Sequence, residues 1–355
     1  MPIKQKGRAA GFNTPNRFEK LHIEKLDIEP DEHDEPVPVP TQYFRDASKT
    51  ILAKNDSPDI PYTYSINPYR GCEHGCIYCY ARPSHEYLGF SAGLDFETKI
   101  LVKHDAPELL DAELRKKSWE PQLVALSGNT DPYQPVERKL GITRRILEVF
   151  LKHRNPVGII TKNSLASRDL DILKELALMN LVSVTISFTS MNPELIRVME
   201  PRTAAPAKRL ELLELLASNG IHAGVMIAPV IPGLTDEEIP ALLREASEHG
   251  AKFAGWSLVR LTGPVQPLFI DWVERELPER ASKVVNRIKE IHGGKLGETK
   301  FGLRMSGEGK IAEAIKKLFK VNSQKYGLTG RRFEYSLDQF RRIPDDEPGK
   351  QMEMF

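Results

Sequence analysis

Cysteine is scarce in this chain: there are three among 355 residues, an odd number. That excludes a secreted disulfide scaffold and suits a reducing, cytoplasmic setting. Long apolar runs are lacking as well. None approaches the roughly 20 residues that a membrane span needs, so no membrane association is expected. The basic residues between Met1 and Arg8 have no apolar stretch behind them, which speaks against a secretory signal. Neither sign of charge dominates, with 50 Lys and Arg against 49 Asp and Glu. Global charge therefore argues neither for nor against a polyanionic partner. What the chain does have is length and apolar content. Hydrophobic residues make up 40% of it, enough for a sizeable core. One large α/β domain with extensions, or two ordinary domains, would account for the size.

Residues 1–55 read as an acidic, proline-containing N-terminal extension. Glu19, Glu24, Asp27, Glu29, Asp31, Glu32, Asp34 and Glu35 face only Lys20 and Lys25, and Pro-Val-Pro-Val-Pro follows at 36–40. Such a composition favours an extended, solvated strap, either a tail or a cover over the domain behind it. Residues 56–260 change character and form the expected core. Strand-like runs at 64–68, 123–127, 157–161, 182–188, 222–230 and 253–259 alternate with helix-like stretches at 107–119, 143–153, 167–179, 207–218 and 236–248. Thr235 before three acids reads as a helix N-cap, and Asn219-Gly220 as a helix stop. This alternation predicts a parallel sheet with crossover helices. About six βα units would make a partial (β/α)6 TIM-like barrel, a doubly wound open sheet being the other arrangement. Either places chemistry at the C-terminal strand ends. Residues 261–355 read as a basic helical C-terminal region, with helix-like pieces at 269–276, 281–292 and 310–319. Between 281 and 344 fifteen basic residues stand against six acidic ones. Such an excess could bind phosphates or simply face solvent.

All three cysteines fall within Cys72-Glu73-His74-Gly75-Cys76-Ile77-Tyr78-Cys79, directly after the first strand-like run. The spacing suits one loop folded around a metal centre, with thiolates as soft ligands. A redox pair of Cys76 and Cys79 would leave Cys72 unexplained. Zinc would need a fourth ligand, from His74 or His85, and would make the chain a zinc-stabilised nucleic-acid-binding protein using its basic region. An iron–sulfur cluster on three thiolates uses every cysteine and leaves one iron open to a small ligand.

The C-x-x-x-C-x-aromatic-C loop followed by βα repeats resembles the radical S-adenosylmethionine (SAM) superfamily. The stretches from Ser65 to Cys76, Ala81 to Tyr87, Ser127 to Pro135 and Ala228 to Asp236 resemble its spore photoproduct lyase-related branch, and more narrowly a group of bacterial radical SAM proteins of unsettled function. The resemblance spans roughly residues 40–330. It implies a [4Fe–4S] cluster on Cys72, Cys76 and Cys79, with SAM chelated to the open iron. It further implies reductive cleavage of SAM to a 5′-deoxyadenosyl radical that abstracts hydrogen from a substrate. A flavodoxin- or ferredoxin-like electron donor and sensitivity to oxygen go with that chemistry.

The resemblance also suggests which residues meet SAM. Tyr78 would lie near the adenine. Ser127 and Asn129, in the loop after the second strand, would approach the amino group. Lys162 at the mouth of the sheet could pair with the methionyl carboxylate, a charge-assisted contact. Ser187 shares a strand face with Thr189 and suits a carboxylate or ribose contact. Arg202 falls where similar chains often place a polar SAM contact. The strand 224–229 could line the adenine pocket.

The substrate is not named by the sequence. Spore photoproduct lyase is known for an extra cysteine that donates hydrogen, and this chain has none beyond the cluster ligands. Tyr133 or Tyr80 could relay a hydrogen atom instead. Asp131, His85, Glu86 and Arg260 could bind or protonate a substrate, Arg260 by gripping an anion. Nucleic acid is a possible substrate on the strength of the basic C-terminal region.

Overall fold

The computed structural model describes residues 7–17, 39–329 and 333–344. The acidic run at 19–35 lies outside the described residues. In chain order the strands are β1 (Gln42–Arg45), β2 (Leu52–Lys54), β3 (Tyr64–Ile66), β4 (Tyr69–Arg70), β5 (Lys99–Val102), β6 (Val124–Leu126), β7 (Val157–Thr161), β8 (Val182–Phe188), β9 (His222–Val230) and β10 (Ala254–Leu258). The helices are α1 (Leu94–Thr98), α2 (Ala106–Arg115), α3 (Glu137–Leu140), α4 (Ile142–His153), α5 (Leu170–Leu178), α6 (Pro193–Met199), α7 (Pro206–Ser218), α8 (Ile239–Glu248), α9 (Val265–Glu276), α10 (Pro278–Glu290) and α11 (Gly309–Lys325).

The main sheet runs β10-β9-β8-β7-β6-β3-β2. From β3 through β10 every pairing in it is parallel, and only β2 is antiparallel. This is the expected partial (β/α)6 barrel, with an added antiparallel strand at one end. Residues read as an N-terminal extension contribute to sheets: β2 pairs with β3, and β1 pairs with β5 in a second, three-stranded sheet. Ala9 and Ala10 are buried, so part of the first described segment is packed as well.

Side-chain alternation explains the layers. In β8, Val182, Val184, Ile186 and Phe188 enter the core shared with the helices. Ser183, Thr185 and Ser187 therefore face the barrel interior. On the outside, α4 buries Ile142, Ile146, Leu147 and Phe150 completely, a helical stripe. Each such side chain contributes roughly 2 kcal/mol of burial free energy. Asn192 caps α6 by accepting from Glu194 N and Leu195 N at 2.9 and 3.2 Å. The expected cap at Thr235 does not form. Its hydroxyl instead accepts from Ile231 N at 2.9 Å, closing the Pro-Gly turn before the helix.

Two segments finish the barrel. Tyr335 bonds Ser183 Oγ at 2.6 Å and Phe333 stacks on His222 at 4.3 Å, so this part of the chain closes the N-terminal strand ends. On the open side, Leu258 N donates to Met305 O at 2.9 Å while Arg304 Nε pairs with Asp59 at 2.5 Å. Residues 302–305 thus tie the edge strand β10 to the β2–β3 connection.

Candidate active site at the mouth of the barrel

The cysteine loop leaves β4 and crosses the C-terminal ends of the parallel strands. Gly71 (φ +80°) and Gly75 (φ +66°) make its turns, and a Cβ on Gly75 would lie 2.7 Å from Glu97 Oε2. Cys72 and Cys76 are buried, Cys79 is partly so, and all three are free thiols. The fully buried Arg82 holds the loop from beneath. It donates to Cys76 O at 3.0 Å, Gly75 O at 3.2 Å and the carbonyls of Ala92 and Gly93, and pairs with buried Glu97 at 2.5 Å. Glu97 in turn accepts from Ala10 N at 3.1 Å. Sequence reasoning gave Arg82 no role, although its place three residues after the last cysteine is a signal.

Next to the loop lies a buried polar cluster. Glu200 Oε1 accepts from Thr189 Oγ1 at 2.6 Å and Lys162 Nζ at 3.1 Å, and also from the Tyr78 hydroxyl. Its Oε2 accepts from fully buried Arg209 at 2.6 Å. Burial alone would raise the Glu200 pKa. Lys162 and Arg209, with the hydroxyls, more than reverse that and hold it well below the usual carboxylate range. Arg209 also donates to Ser187 O at 2.8 Å, tying the cluster to the end of β8. Glu200 and Arg209 are buried neighbours of Lys162 that the sequence pattern did not reveal.

After β6, Ser127 adopts φ +146°, a conformation rare outside glycine. The loop is held open by Asn67, whose Oδ1 accepts from Asn129 N at 2.8 Å and Thr130 N at 3.2 Å. The Asn129 side chain is exposed. Asp131 is fully engaged: Oδ1 accepts from Thr161 Oγ1 at 2.8 Å and Tyr133 N at 2.9 Å, and Oδ2 from Lys162 N at 2.7 Å. Its Oδ2 also lies 3.5 Å from His74 Nδ1. Asp131 therefore clasps the ends of β6 and β7 to the cysteine loop.

The other candidates separate. Tyr133 is buried with its hydroxyl donating to Asp169 at 3.2 Å, among Arg168 and Glu137, and so points into the core instead of the mouth. Arg202 turns to Glu73 at 3.0 Å and Thr41 at 3.3 Å, on the side of the loop covered by the N-terminal segment. Glu86 is bound by Arg17 at 2.6 Å. Tyr80 lies at the mouth. Its hydroxyl donates to Gly128 O, and the Arg260 guanidinium stacks 4.9 Å from its ring. Tyr80 thereby bridges the loop after β6 and the chain after β10, which leave opposite parts of the sheet.

The donor set bears on a metal. Burial pushes all three thiols up, with Asp131 adding to the effect at Cys72 and Glu200 at Cys76. Three thiolates at this place need a cationic core to balance them. Among the described residues no group of three His, Cys, Asp or Glu side chains converges on a single ion. His74 is engaged by Asp131 and by Asn163 at 3.2 Å, and burial lowers its pKa. His85 holds Lys99 O at 2.9 Å through Nε2. The tetrahedral zinc site with a histidine ligand thus finds no support, whereas a cluster spreads its thiolates over separate irons and fits the loop.

The family model for the radical SAM superfamily matches residues 66–246. The chain belongs to this superfamily. This radical SAM protein is 39% identical over 235 residues to an uncharacterized protein of Mycobacterium tuberculosis, covering 66% of this chain and 68% of that one. It is 29% identical over 192 residues to spore photoproduct lyase of Clostridium acetobutylicum, covering 52% of each. A solved structure of a spore photoproduct lyase variant superposes with a TM-score of 0.59 at 16% identity, covering 85% of this chain and 88% of that one. Another, with AdoMet and dinucleoside spore photoproduct bound, gives 0.58 at 16% identity over 82% of each chain. The fold is shared, and the expected likeness to that branch is borne out. Among the described residues no helix is long and apolar enough to cross a membrane.

Proposed function

We propose that this radical SAM protein is an enzyme that holds a [4Fe–4S] cluster on Cys72, Cys76 and Cys79 and binds SAM in the barrel mouth. The observation that carries the reading is the set of three free thiols, on one glycine-turned loop, over the C-terminal ends of a parallel sheet. With the cluster bound, the chemistry it supplies is one-electron cleavage of SAM to a 5′-deoxyadenosyl radical that takes hydrogen from a substrate.

The chain's own residues do the positioning. Arg82 fixes the loop carbonyls, and Glu97 neutralises it in the interior. Lys162, partly exposed and poised beside Glu200, offers its ammonium to the methionyl carboxylate. Glu200 and Arg209 keep that lysine and the end of β8 in place. Ser127 and Asn129 present loop backbone to the amino group, and Ser187 a hydroxyl to the carboxylate or ribose. Tyr78, beneath Lys162 at 5.7 Å, forms part of the adenine side. Arg202 and Asp131 act as positioning residues, since both are committed to other protein groups.

The enzyme works in the cytoplasm, takes electrons from a reduced flavodoxin- or ferredoxin-like donor, and loses activity in air. Anaerobic reconstitution followed by a search for deuterium transfer from candidate substrates into 5′-deoxyadenosine tests the reading. Failure to form 5′-deoxyadenosine with dithionite and SAM would refute it.

A further inference from the structure

Arg260 is a charged group with no hydrogen-bonded or ion-paired counterpart among the described residues. It follows β10 at the mouth, is half-buried, and its guanidinium stacks 4.9 Å from the ring of Tyr80, the residue directly after Cys79. Among the described residues it makes no hydrogen bond and no ion pair. Leaving five guanidinium donors half out of water without an acceptor is costly.

Its surroundings deepen the deficit. Burial, and after it the neighbouring Arg304, disfavour the Arg260 charge; Asp59, the carboxylate close by, favours it but is already taken by Arg304 at 2.5 Å and Gly302 N at 2.8 Å. Two guanidiniums thus share one spent carboxylate. Each stacks on an aromatic ring that remains about half open to solvent: Arg260 on Tyr80 (48% exposed), Arg304 on Phe301 (54% exposed). Arg304 spends its Nε on Asp59 and an Nη on Ser57 Oγ, so it contributes positive charge, while the Arg260 guanidinium, unbonded among the described residues, keeps its fork of donors for an oxyanion.

We infer that Arg260, with Arg304 and Tyr80, forms a subsite for the phosphate group of this enzyme's substrate, at the edge of the mouth beside the cysteine loop. The inference deepens the proposed function and rests on it for the identity of the mouth. Arg260 is then a specificity-determining residue. It selects a phosphate-bearing substrate and orients it against the cluster loop, because the ring that stacks on it belongs to the residue adjoining Cys79. The phosphate can belong to a free ester or to a nucleic-acid strand, and the binding arms below separate these sources.

The test is equilibrium binding to the anaerobically reconstituted protein, with inorganic pyrophosphate and a short single-stranded deoxyoligonucleotide as the two probes. The wild type should bind at least one of them, and Arg260→Gln should weaken that binding by about tenfold or more. Arg260→Lys should recover only part, since an ammonium lacks the fork. Lys317→Gln, which removes the same charge from the exposed face of α11, should bind as the wild type does. Preference for pyrophosphate assigns a small phosphate ester, and preference for the oligonucleotide assigns a strand. Binding of neither probe by the wild type, or equal loss in the Arg260 and Lys317 variants, overturns the inference. Cluster absorbance and SAM cleavage, recorded on the same samples, show separately whether the radical SAM reading stands.

Discussion

Lys162 Nζ lies 3.1 Å from Glu200 Oε1, and the opposite oxygen of the same carboxylate is held by Arg209 at 2.6 Å. One buried carboxylate thus serves two cations, of which only the lysine reaches toward the open mouth. The two halves of this arrangement should respond differently to substitution. Lys162→Ala leaves Glu200 paired with Arg209, so the fold should persist while SAM affinity falls about tenfold or more. Glu200→Gln strands Arg209 without a counter-charge and should cost on the order of 3–5 kcal/mol of stability. Calorimetric SAM titration and urea unfolding of both variants check this. Unchanged SAM affinity in Lys162→Ala removes the lysine from the site.

The second prediction concerns Arg82. It is wholly buried, its only carboxylate partner is Glu97 among the described residues, and its other bonds go to loop carbonyls. Arg82→Ala should destabilise the protein by roughly 3–5 kcal/mol and lower the iron retained after reconstitution. An unfolding midpoint and iron content equal to the wild type would show that the loop supports itself.

A third follows from His85. Burial, only partly offset by the Lys99 carbonyl, lowers its pKa from 6.5 to about 4. The unfolded chain therefore takes up this proton first as pH falls. Stability is full above pH 6.5 and declines toward pH 4, by on the order of 3 kcal/mol from this residue. In the iron-free protein, His85→Gln should show a shallower decline of the urea midpoint across that window. Parallel curves for wild type and variant would contradict the burial argument.

How much of this was legible beforehand depends on the residue. β7, β8 and β9 begin and end where the sequence runs do, because central parallel strands are largely buried and carry few charged residues to blur their limits. The cysteine loop announced itself by spacing. β1 and β5 did not, since β1 is exposed along its whole length and pairs with a strand more than fifty residues away. Arg82, Glu97, Glu200 and Arg209 look like ordinary surface charges in a sequence, and only the fold shows them buried against one another. Tyr133 misled in the opposite way: it follows a strand end, yet the chain turns it into the core toward Asp169. Asp131 stands where a catalytic carboxylate is useful, but three donors and His74 already occupy its oxygens.

The claim on which the rest depends is the cluster. Anaerobic reconstitution with iron and sulfide, followed by metal and sulfide analysis of wild type and Cys76→Ala, tests it most directly. The account predicts a brown wild-type protein with about four irons and four sulfides per chain that forms 5′-deoxyadenosine with SAM and dithionite, and a Cys76→Ala protein that stays folded but colourless. Stoichiometric zinc in place of iron, or a cluster that survives loss of Cys76, would contradict it.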